Sequence, residues 1–140
     1  MSYDQIYAIA SAGMQVEKMR VDVVANNIAN EYTLKNADGT AFKPMQVEAT
    51  AQPFEEVLNG AAEESLSSIK LIPENLPDNK VYQPGHPAAD KLGFVSYPGI
   101  STVDEMTTLL RASRAYEADI KIINTAHSLY QQALTIGDER

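Results

Sequence analysis

The stretch "TVDEMTTLLRASRAYEADIKIINTAHSLYQQALTIG", Thr102 to Gly137, decides the fold. Met106, Leu109, Ser113, Tyr116, Ile120, Ile123, His127, Tyr130 and Leu134 recur in alternating steps of three and four. That register keeps one face of an α-helix apolar over four heptads, the pattern of a coiled-coil seam. A second row, Ile122, Ala126, Leu129, Ala133 and Ile136, runs beside it. Thr102-x-x-Glu105 has the form of a capping box, and Gly137 stands where a helix ends in a left-handed residue. A helix of this span is a rod of roughly 50 Å, long for a chain of 140 residues.

All 7 prolines lie between Pro44 and Pro98, and 5 of the 7 glycines lie between Gly39 and Gly99. Both residues oppose helix interiors, so the chain divides into residues 1–30, 31–100 and 101–140. The first part predicts a second long helix, opened by a possible capping box, Ser2-x-x-Gln5. Its apolar positions form two rows. One is Tyr7, Ala10, Met14, Val21, Val24 and Ile28; the other is Ile6, Ile9, Gly13, Val16 and Val23, whose steps continue onto Arg20, Asn27 and Asn30. Together they make a stripe wider than one partner helix requires. The expected fold is mainly α with a small β insert: two long terminal helices in a coiled-coil-like pair, around a central β-rich and irregular segment.

In that middle, "FKPMQVEAT" (Phe42–Thr50), "SSIKLIP" (Ser67–Pro73) and "GFVSYP" (Gly93–Pro98) read as extended pieces. "NADGT" (Asn36–Thr40) reads as a tight turn. "FEEVLNGAAEES" (Phe54–Ser65) reads as an acidic loop rather than a short helix.

The formal net charge is −8, and no third of the chain is net basic. Nucleic-acid binding rests on a Lys/Arg phosphate footprint that is missing here, and an anionic membrane surface is disfavoured for the same reason. No run of about 18 apolar residues is present, so no membrane insertion is expected. The amino-terminal residues do not resemble a secretory signal, which implies a cytoplasmic protein or one exported without a cleaved signal peptide. With 0 Cys there is no disulfide or thiolate site.

Chemistry finds little support. His86 in "YQPGHPAAD", four residues before Asp90, could be a base with its orienting carboxylate; the blander reading is a rigid turn in which both side chains bond local backbone. His127 lies on the heptad seam with no second ligand at metal spacing. There is no nucleophile elbow and no phosphate-binding glycine loop. No enzymatic activity, cofactor or metal is expected.

What remains is surface. Asn is a mediocre helix former, yet "VVANNIAN" (Val23–Asn30) places three in a helix's last turns. A polar residue on a seam costs stability and fixes register or partner choice, so Asn27 and Asn30 are expected to specify how helices align. For Asn30, capping the helix end is an equal alternative.

These residues resemble a known family. "SAGMQVEKMRVDVVANNIAN" (Ser11–Asn30) is similar to the amino-terminal signature of flagellar basal-body rod and hook proteins, carried by Arg20, Val24, Ala25, Asn27, Ile28, Ala29 and Asn30. "DEMTTLLRASRAYEADIKIINTAHSLYQQAL" (Asp104–Leu134) resembles the carboxy-terminal signature through Glu105, Met106, Ala112, Arg114, Tyr116, Ala118, Asn124, Thr125 and Ala126. Two departures are Asp119, where the family has Asn, and His127, where it has Lys. "YQPGHPAADKLGFVSYP" (Tyr82–Pro98) and the short length are similar to proximal-rod members in particular.

The resemblance implies a structural subunit that assembles helically with proximal and distal rod subunits, both its own copies and others, to transmit torque. It further implies contact with the MS-ring/rod adaptor and the flagellar export apparatus, and export without a cleaved signal into a rod that spans the periplasm. The implied subunit interface comprises Met14, Arg20, Val24, Asn27, Ile28, Asn30, Met106, Leu109, Arg114, Tyr116, Ile120, Ile123, Asn124, His127, Tyr130 and Leu134. The rival is a cytoplasmic helical-hairpin module that binds a partner protein.

Overall fold

The structure, a computed structural model, describes residues 3–50 and 68–138. The Ser2 cap and the acidic stretch Phe54–Ser65 therefore lie outside the described residues. The element order is α1 (Tyr3–Ala29), β1 (Met45–Thr50), β2 (Ser68–Pro73), β3 (Asn79–Tyr82), β4 (Phe94–Tyr97) and α2 (Thr102–Asp138). The fold is mainly α with a small antiparallel β insert, as the proline distribution requires.

The helices run antiparallel. Tyr3 stacks on Tyr130 with ring centroids 4.9 Å apart, and a Cβ on Gly13 would lie 2.7 Å from an Asp119 carboxylate oxygen. Asn27 bonds Glu105 at the other end. The buried line on α1 is Ala10, Val16, Val24 and Asn27, drawn from both apolar rows, and on α2 it centres on Ala112. The tight seam of α2 thus passes through Glu105, Ala112 and Asp119, one position away from the row that begins at Met106. Small residues explain the shift. Gly13 and Ala112 let the helix axes approach, and the bulkier Met106, Ile120 and Leu134 are turned to the flanks. α2 runs through Asp138, one residue beyond the expected stop at Gly137.

The cap also differs by one residue. Ser101 Oγ accepts from the Asp104 amide at 3.4 Å, so Ser101 is the N-cap and Thr102 is the first helical residue. Thr102 and Glu105 are thereby released for long-range bonds. Thr102 Oγ1 donates to Glu31 Oε2 at 2.8 Å, tying the end of α1 to the start of α2.

β1 and β2 pair antiparallel from Met45 opposite Pro73 to Thr50 opposite Ser68. On β1, Met45, Val47 and Ala49 are half-buried and alternate with exposed Gln46, Glu48 and Thr50, the period of a one-sided strand. β3 and β4 form a separate hairpin in which Val81 faces Val95, which is fully buried. β3 has four residues and no apolar alternation, so nothing in its pattern marks it as a strand. The "NADGT" turn is present: the Asn36 amide donates to Thr40 O at 2.8 Å, and Gly39 adopts φ +83°, where L side chains are strained.

Candidate assembly surface

Asn27 is 2% exposed and its amide is almost fully committed. Nδ2 donates to Met45 O at 2.8 Å and to Glu105 Oε1 at 3.2 Å, and Oδ1 accepts from the Met45 amide at 3.0 Å. The side chain acts as a surrogate strand neighbour for the first residue of β1 and also holds α2. A seam polar residue has fixed alignment, but within the chain. Within the single chain Asn27 and Val24 are both buried, while their expected place at a subunit interface rests on the assembled rod. Asn30 closes the helix end: its Nδ2 donates to Asn26 O at 2.9 Å, and its Oδ1 accepts from Thr33 Oγ1 at 3.0 Å.

The other implied interface residues fall into two sets. Met14, Arg20, Ile28, Leu109, Tyr116 and Ile123 are half-buried along the edges of the helix pair, with Arg20 paired to Glu17 one turn away. Met106, Arg114, Ile120, Asn124, His127, Tyr130 and Leu134 are exposed. Tyr130 and His127 flank Tyr3 at the distal end of the pair.

Two apolar surfaces on α2 lie outside its contact with α1. Val103 (74% exposed), Met106 and Leu110 (60%) follow at spacings of three and four on the side away from the seam. Ile122, Leu129 (61%) and Ile136 (71%) repeat every seven residues on one flank. Val103, Leu110, Ile122, Leu129 and Ile136 were not among the implied interface positions, although the second row visible in the sequence carried three of them. On α1, Tyr7 and Ile9 are exposed as well.

The β1–helix junction borders a partly open cavity of about 240 Å³ lined by Arg20, Val23, Val24, Asn27, Met45, Gln46, Val47, Glu74, Asp104, Glu105 and Thr108. Among the described residues Glu105 Oε2 is buried there without a hydrogen-bond partner. Burial pushes the Glu105 carboxyl above the ordinary value of 4.5; the Asn27 bond opposes this, and the charges of Glu74 and Asp104 add to it.

His86 and Asp90 serve their own loop. His86 Nδ1 accepts from the Ala88 amide at 3.1 Å, and Asp90 Oδ1 accepts from the Leu92 and Phe94 amides at 2.8 and 2.9 Å. The bond from Phe94 is the main reason the Asp90 carboxyl sits below its ordinary value. Among the described residues no group of three His, Cys, Asp or Glu could hold a metal ion. Nor is any described helix long and apolar enough to cross a membrane.

Two long helices with unpartnered flanks around a small β insert resemble an assembly subunit, and comparison with known proteins identifies which one. The flagellar basal-body rod protein FlgC of Escherichia coli O6:H1 is 33% identical over 139 residues, covering 98% of this chain and 99% of its own. The chain belongs to the FlgC family of flagellar basal-body rod proteins. The FlgC of Borreliella burgdorferi is 30% identical over 141 residues, with 91% and 93% covered, and that of Aquifex aeolicus is 31% identical over 129 residues, with 89% of each covered. A family model for the carboxy-terminal part of the flagellar basal body rod FlgEFG proteins matches residues 91–136, which hold β4 and nearly all of α2. This FlgC-family chain is a structural subunit of the rod in the flagellar basal body.

Proposed function

We propose that the subunit sits in the proximal rod and assembles helically, head to tail, with copies of itself and with other rod proteins to transmit torque. The MS-ring/rod adaptor and the export apparatus are its neighbours at the base. Residues 1–30 and 101–140 form the assembly core, residues 31–100 form an outer segment, and the chain performs no catalysis. The single supporting observation is the pair of exposed apolar rows on α2, Val103–Met106–Leu110 and Ile122–Leu129–Ile136, on sides that α1 does not cover. Contiguous exposed apolar surface of this kind marks a protein–protein contact. A contact between unlike patches that does not close on itself propagates as a filament, and torque is then shared among many parallel contacts.

The test is Leu110→Asp and Leu129→Asp. Both sites are exposed, so the folded monomer should keep its unfolding free energy to within about 0.5 kcal/mol. Cells carrying either variant are expected to accumulate the subunit yet lose swimming and yield basal bodies without a complete rod. Wild-type motility in both variants would refute the proposal.

A further inference from the structure

The junction between the β1–β2 sheet and the helix pair is held and pushed at the same place. Holding it are the three Asn27 bonds, two of them to Met45, the first residue of β1. Met45 pairs with Pro73, and the next residue, Glu74, donates its amide to Pro44 O at 2.8 Å. Glu74 therefore moves with the end of the sheet that Asn27 grips. Across the cavity, on the first turn of α2, stand Asp104 and Glu105. Like charges on two bodies repel along the line that the latch must hold closed.

Among the described residues, every charged group facing this cavity can be named. From the sheet side it is Glu74, from α2 Asp104 and Glu105, and from α1 Arg20, which is engaged by Glu17. The amino-terminal end of α2 carries a partial positive charge that offsets only part of this. Glu105 Oε1 accepts from Asn27, and Oε2 is buried with no donor. An ionised carboxylate left half unsatisfied is costly, whereas a proton on Oε2 leaves Oε1 free to keep its bond.

We infer that this junction is a charge-gated hinge: Asn27 latches the sheet to the helices, Glu74 opposed to Asp104 and Glu105 loosens it, and neutralising Glu105 tightens it. The direction with pH follows from linkage. A carboxyl raised in the folded state contributes stability that is complete below its unfolded value and is lost as pH rises through the folded one. The latch is therefore tighter in mild acid and looser at neutral pH. The hinge belongs to the isolated chain and does not depend on how, or whether, it assembles.

The experiment is amide hydrogen exchange on the full chain between about pH 7.5 and about pH 4, below the ordinary carboxyl value, corrected for intrinsic exchange. Protection of the Met45 amide should increase severalfold on acidification, while that of Ala112 in the helix seam stays constant. In Glu105→Gln the Met45 amide should be as protected at neutral pH as the wild type is in acid, with little pH dependence left. Glu74→Gln should give part of that gain. Met45 protection that is flat with pH in the wild type, or an unchanged pH dependence in Glu105→Gln, would overturn the inference. A parallel rise at Ala112 would too, because it would mean global stabilisation and not a hinge.

Discussion

Gly99→Ala is expected to destabilise the chain by about 3 kcal/mol or more, the upper range for forcing an extra methyl into packed structure. A Cβ on Gly99 would lie 2.0 Å from Pro77 O, 3.0 Å from Pro77 C and 3.3 Å from Leu76 Cβ. The first two atoms are backbone, so no side-chain rotation relieves the clash. Either the Leu76–Pro77 segment or the β4–α2 connection must move. That connection has little slack, because Pro98 and Ile100 on either side of Gly99 are buried and Ser101 caps α2. The predicted result is a large drop in the urea midpoint, with altered near-ultraviolet dichroism from the Tyr32–Tyr97 pair, whose ring centroids are 5.8 Å apart. Gly85→Ala is the control, since nothing lies within 4 Å of its added Cβ. Equal midpoints for the two variants would show that the close approach to Pro77 carries no energetic weight.

Asn27→Leu is expected to cost about 3 kcal/mol or more, even though Leu is the better helix former. Removing the amide leaves the Met45 N–H and C=O unpaired in a part-buried setting and strips Glu105 of the Asn27 donor. An orphaned buried group costs about 1–3 kcal/mol, far above the few tenths that propensity returns. An α1 peptide carrying the change should gain helix by circular dichroism, while the whole chain unfolds at lower denaturant and Met45 exchanges fast. Asn27→Asp separates shape from hydrogen bonding. It keeps an acceptor for the Met45 amide, cannot donate to Met45 O, and sets a second carboxylate against Glu105. Its deficit should be larger at neutral pH than in acid. A folded chain of wild-type stability in Asn27→Leu would remove Asn27 from the junction, and with it the hinge.

The two variants also show why the sequence could be read correctly in outline and wrongly in detail. Apolar periodicity reports which side of a helix avoids water, not which residue comes closest to its partner. In α2 the closest approach goes to small or polar positions, Ala112 and Asp119, because Gly13 makes room across the gap; the large side chains that defined the row sit to either side. Asn27 was recognisable as an oddity on a seam. That its partner is the backbone of Met45, 18 residues away, depended on how the chain returns after α1. Glu105 belonged to a capping box by spacing alone, and it left the box because Ser101 caps α2 and the Asn27 amide bonds the Glu105 carboxylate. β3 had no pattern to detect, since its four residues extend through pairing with β4.

By itself the sequence determined the two long helices, through uninterrupted three-and-four spacing and the confinement of proline to the middle. It also determined membership of a rod family, through two separated signatures in the right order. Only the tertiary structure decided which apolar rows are spent inside the subunit and which are left exposed. The physical reason is that a stripe wider than one partner can be buried from either side. Which side α1 takes is settled by where backbones can approach and by where Asn27 finds its hydrogen bonds, and both depend on residues far apart in the chain.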